Sequence, residues 1–125
     1  MSERPKVEIS FPDWLSVVNF ASNENLSLMF RKTFTVCDPS EVTALTLHAL
    51  FDDGLTVYIN GTQVYSEAVV GDPPLWNGNP TTGHEAVSYE PKELSSAIGI
   101  SALRNLLVAG SDNVIAVGVY NRQPN

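Results

Sequence analysis

The sequence predicts an all-β protein, an antiparallel β-sandwich with at most one or two short helical turns. Three observations carry that prediction. Several segments alternate apolar and polar residues with the two-residue period of a half-buried strand. Turn signals built from Gly, Pro, Asn and Asp separate them. One almost continuously apolar, β-branched segment, NVIAVGVY at residues 113–120, has the character of a central strand buried on both faces.

Taken in order, residues 7–14 (VEISFPDW) alternate and stop at Pro12-Asp13, giving a first strand and a turn. Residues 14–20 read as a further strand, with Trp14 plugging one end of the core, and residues 21–25 as a polar loop. Residues 26–36 (LSLMFRKTFTV) put Leu26, Leu28, Phe30, Phe34 and Val36 on one face. Lys32 falls on that face too, which calls for a bulge or for a place where the strand overhangs the core. Asp38-Pro39-Ser40 is a turn.

Residues 45–65 (LTLHALFDDGLTVYINGTQVY) form the centre, read as a three-stranded meander with two tight turns. Leu45, Leu47, Ala49 and Phe51 share one face of the first strand. Asp52-Asp53-Gly54 breaks the run, with Gly54 expected to supply positive φ. Leu55, Val57 and Ile59 then point inward, Thr56 and Tyr58 outward. Asn60-Gly61 is the signature of a type I′ hairpin, which needs positive φ twice.

Residues 67–91 hold Pro73, Pro74, Pro80 and Pro91 with Gly71, Gly78 and Gly83, a composition expected of a long loop. Residues 93–107 are mixed. Ser101 is a candidate cap for one or two helical turns ending at Leu106-Leu107, with Gly110 as their stop.

At 125 residues the chain is read as a single domain. A net charge of -7 opposes binding to nucleic acid and to anionic membrane surfaces. No apolar run has the length of a membrane span. The first six residues lack the apolar core of a signal peptide, so export would require a signal outside this chain. Cys37 is the only cysteine, has no basic neighbour in sequence, and reads as a packing residue.

The residues that could carry recognition sit in the long loop. Trp76, with Asn77, Asn79, His84 and Tyr89, combines aromatic faces with amide and imidazole hydrogen bonders. Pyranose rings stack on such faces while their hydroxyls pair with such groups. The competing reading is that Trp76 pins the loop to the sandwich. Asp52 and Asp53 offer adjacent hard oxygen ligands for Ca²⁺, although a hairpin turn with solvated carboxylates accounts for the same residues. His48 and His84 have no Cys or carboxylate at zinc-ligand spacing. No nucleophile-elbow, phosphate-loop or dinucleotide pattern is present, so the chain reads as non-catalytic.

FRKTFTVCDPSEV, LFDDGLTVYINGTQVY, PPLWNGNPTTGHEA and LLVAGSDNVIAVGVYN occur in that order. Over residues 29–121 the chain thereby resembles the galactose-binding-domain-like jelly rolls that serve as accessory modules of large bacterial extracellular proteins. The resemblance implies a jelly roll, an extracellular or cell-surface setting within a larger protein, and carbohydrate as the ligand. A DDG turn similar to residues 52–54 holds calcium beside the ligand in anthrax-protective-antigen-type sugar-binding domains. Members of the resembled family usually continue past the Asn of the last motif with one more strand. Without it, a sheet edge would be open to a second copy. The alternative reading is a structural or adhesion module with no small-molecule ligand.

Overall fold

In a computed structural model the chain is described over residues 6–10, 27–49, 53–69 and 90–120. Seven strands lie within them: β1 (Lys6–Ser10), β2 (Ser27–Thr35), β3 (Ala44–Ala49), β4 (Gly54–Ile59), β5 (Thr62–Glu67), β6 (Glu90–Glu93) and β7 (Asp112–Tyr120). Two short helices, α1 (Leu94–Ile98) and α2 (Ile100–Leu106), precede β7, and a 3-10 turn (Pro39–Glu41) precedes β3. The strands form two sheets, ordered β1-β3-β6 and β2-β7-β4-β5. Leu45, Leu47 and Ala49 from one sheet and Leu55, Val57, Ile59, Ile115 and Val117 from the other are all fully buried in one core. Each buried Leu, Ile or Val side chain contributes roughly 1.5–3 kcal/mol of transfer free energy. The architecture is mostly β and consistent with a β-sandwich.

β7 is central, paired antiparallel with both β2 and β4. Its outer face is covered only toward its C-terminal end, where Gly118 and Tyr120 are buried on the side opposite the core; Val114 and Ala116 are half-buried, so the expected burial on both faces holds only in part. Asn60 (φ 48) and Gly61 (φ 87) make the expected positive-φ hairpin turn between β4 and β5.

The central meander is corrected. β3 does not pair with β4; the two strands lie in different sheets. Alternation fixes which face of a strand is buried but not its neighbour, and both strands turn their apolar face to the same core. Gly54 is corrected as well: the positive φ belongs to Asp53 (φ 79). Gly54 is favoured by close approach, since a Cβ there would lie 3.1 Å from Val69 Cγ1 and 3.2 Å from the Ala68 carbonyl oxygen. β1 runs parallel to β3, so the pairing is not wholly antiparallel. The connection between them passes through β2 of the other sheet, which gives the length a parallel crossover needs.

Of the two readings of Lys32 the bulge is excluded: the register of β2 on β7 runs without a shift through Lys32, which is exposed on the outermost described strand of its sheet. Three smaller readings change. Pro91 belongs to β6 rather than to a loop; β6 is an edge strand of its sheet, where a residue without an N–H is tolerated. Ser101 lies inside α2, and the position preceding α2 is Gly99 (φ 92). Cys37 is exposed and does not pack in the core. The expected strand at residues 14–20, Trp14 included, lies outside the described residues.

Candidate functional site

The outward residues of the four-stranded sheet line up across the strands. Arg31 on β2 is opposite Ala116 on β7, Ala116 is opposite Tyr58 on β4, and Tyr58 is opposite Gln63 on β5. With strands about 4.8 Å apart, Arg31 and Tyr58 flank Ala116 at a backbone separation of about 10 Å. The small Ala116 side chain leaves a trough between them. Its volume is about 240 Å³, and Met29, Arg31, Tyr58, Gly61, Val114 and Ala116 line it. Met29 is 45 % exposed and Arg31 is exposed, so this part of the face is open to solvent.

The neighbouring part of the same face is closed. Thr56 and Gly118 form the adjacent cross-strand pair and both are buried. The Tyr120 ring lies over them: a Cβ on Gly118 would sit 2.5 Å from Thr56 Oγ1 and 3.2 Å from Tyr120 Cε1. The Thr56 hydroxyl donates to the Tyr120 phenol oxygen at 3.5 Å. Thr56 points outward as expected, yet it is fully covered although it faces away from the core. Burial, and then the nearby Tyr120 phenol, raise the Tyr58 phenol above the usual tyrosine value, partly offset by a hydrogen bond with Thr56. Tyr58 thus stays neutral at ordinary pH, an aromatic face with a phenol able to donate and accept.

Trp76, Asn77, Asn79, His84 and Tyr89 lie outside the described residues, as does Asp52. Asp53 is buried at the start of β4. Among the described residues no group of three or more His, Cys, Asp or Glu side chains is placed to hold a metal ion. His48 is half-buried on the outer side of the three-stranded sheet, opposite Ser10 and Pro91. Among the described residues, no helix is long and apolar enough to cross a membrane.

Two polar clusters position the sheets and were not anticipated. Asn113 is fully buried at the start of β7; its amide accepts from the Val108 N–H (2.8 Å) and from Asn60 Nδ2 (2.9 Å) and donates to the Val108 and Ser111 carbonyls. Asn60 also donates to the Leu106 carbonyl and accepts from the Val114 N–H. The hairpin turn is thereby tied to the end of α2. At the opposite edge, Lys92 of β6 pairs with Glu67 of β5 at 2.8 Å and with Glu90 at 3.4 Å, and the Tyr65 phenol donates to Glu67 at 2.6 Å. The Asn-Gly dipeptide and the Asn before the last strand hinted at the first cluster. The second depends on which strands end up at the edges, which no local pattern encodes.

A second, shallower hollow of about 550 Å³ lies beside α2, lined by Ser40, Ser101, Arg104, Asn105 and Leu107 among others. Arg104 Nε donates to the Val42 carbonyl at 3.0 Å, and the Ser40 hydroxyl donates to Asp38 at 2.7 Å. No known protein family, curated protein or solved structure matches this chain.

Proposed function

We propose that this chain is a non-catalytic carbohydrate-binding module of the galactose-binding-like jelly-roll type, part of a larger extracellular protein. The observation that carries the reading is the open trough on the four-stranded sheet. There an aromatic face (Tyr58), a guanidinium (Arg31) and, at the end of the same row, an amide (Gln63) stand beside small apolar residues. A pyranose needs that combination: a flat apolar contact and a few placed hydrogen bonders. The loop residues Trp76, Asn77, Asn79, His84 and Tyr89 form a second candidate surface, with Asp52 and Asp53 as the candidate Ca²⁺ ligands.

A structural or protein-interaction module is the competing reading, and the exposed Met29 with Val114 and Ala116 in the same trough favours it. A glycan-array screen of the folded chain, with calcium and with chelator, separates the two. A hit abolished by Tyr58→Ala supports the sheet-face site. A hit abolished only by Trp76→Ala moves the site to the loop, and loss on chelation points to Asp52 and Asp53. Silence from a folded chain in both conditions overturns the carbohydrate reading in favour of the interaction module.

A further inference from the structure

We infer that the sheet-face trough selects an anionic pyranose unit, one carrying a carboxylate or a sulfate, with Arg31 holding the anion while the ring lies against Tyr58; this rests on the carbohydrate reading above. The argument starts from charge. The chain as a whole carries -7, yet among the described residues no carboxylate lines this trough, and the one charged residue lining it is an arginine. Among the described residues Arg31 makes no ion pair and no side-chain hydrogen bond. The nearest acidic position on β7 is Asp112, opposite Thr35, four residues along the strand from the Arg31 pair. A guanidinium is always charged, and its planar fork of N–H groups matches the paired oxygens of a carboxylate or sulfate.

Spacing makes the case specific to a sugar rather than to any anion. Arg31 and Tyr58 are two strands apart, about 10 Å between backbones, with only Ala116 between them. One sugar ring fits over that floor with its apolar face on Tyr58 and an acidic substituent toward Arg31. Gln63, beyond Tyr58 on the same row, offers an amide to the next hydroxyl. On the Thr56 side Met29, opposite Gly118, lines the trough, and the Tyr120 ring covers Gly118 and Thr56 beyond it.

The test compares four polymers by calorimetry near physiological ionic strength, where general repulsion from the acidic chain is screened beyond about 8 Å. Polygalacturonate carries the carboxylate, its fully methyl-esterified form is the same sugar without charge, dextran sulfate carries sulfate, and polyacrylate is carboxylate without sugar. The expected result is binding of one or both anionic polysaccharides at least tenfold tighter than the ester, the tighter of the two naming the anion. Arg31→Gln, at an exposed position, abolishes that difference without changing the circular dichroism spectrum. Equal binding of acid and ester overturns the anion selection and leaves the carbohydrate reading standing. Polyacrylate binding as tightly as polygalacturonate overturns it in favour of plain charge attraction. Silence toward all four, from a folded chain that also gives no hit on the glycan array, overturns both.

Discussion

Gly118 is the residue on which the shape of the outer sheet face turns. Any side chain there meets Thr56 Oγ1 at 2.5 Å. Thr56 cannot swing away easily, because it is β-branched and fully buried. Gly118→Ala is therefore expected to destabilise the fold by about 1–3 kcal/mol, measured by urea unfolding. The cost should shrink in a Thr56→Ala background, since the clash partner is gone; equal costs in both backgrounds would place the strain elsewhere. Asn113 is the second sensitive residue. Asn113→Ala removes the side chain that pairs with the Val108 N–H and carbonyl and with Asn60, at bonds that are part-buried, and a loss of about 1–2 kcal/mol is expected. Asn113→Ala unfolding at the same urea concentration as the parent would show that water replaces those bonds.

At the scale of elements, one polar cluster ties the four-stranded sheet to the helix before its central strand and the other joins the two sheets. In the first, Asn60 and Asn113 tie the β4–β5 turn to α2 and β7. In the second, β6 meets β5 through charge. Lys92 lies opposite Leu47 in register and so shares its inward side, and Glu67 lies opposite Leu55. Both are therefore charges pointing inward from edge strands, a pattern that discourages pairing with further strands. Lys92→Ala is expected to cost about 1–3 kcal/mol, between the values for exposed and buried pairs. Amide exchange should quicken in β6 and leave β7 slow.

The pH dependence of this cluster has a definite sign. Burial favours the neutral Lys92 amine, but the Glu67 hydrogen bond, Tyr65 and Glu90 outweigh it, and the net pKa is raised. Burial, then Glu67, also raise the Tyr65 phenol, against a smaller lowering by Lys92. Both groups keep their protons more tightly folded than unfolded. Their stabilisation is therefore full below the unfolded values near pH 10 and is lost as pH rises through the folded ones. Thermal melts should hold level from pH 8 to about pH 10 and fall above it. Stability rising above pH 10 would contradict the cluster as described.

For the molecule as a whole, the period-2 pattern made strand faces legible. Leu45, Leu47, Leu55, Val57 and Ile59 are inward by alternation and buried in the fold. The Asn60-Gly61 turn was legible because only a few residues accept its φ values. Pairing was not legible. Nothing local distinguishes a β3–β4 hairpin from a crossing between sheets, because both bury the same faces. The site was half legible for that reason. Alternation placed Tyr58 outward, but only the registers of β2, β7 and β4 bring Arg31 beside it. Sequence attention went instead to the aromatic loop around Trp76, where composition alone is informative.

The most direct test of the sheet-face site is amide chemical-shift mapping with a short galacturonate oligomer. The account predicts that the largest shifts fall at Arg31, Tyr58, Gln63 and Ala116, with β1, β3 and β6 unmoved. Shifts confined to residues 71–89, or to the hollow beside α2, would contradict it.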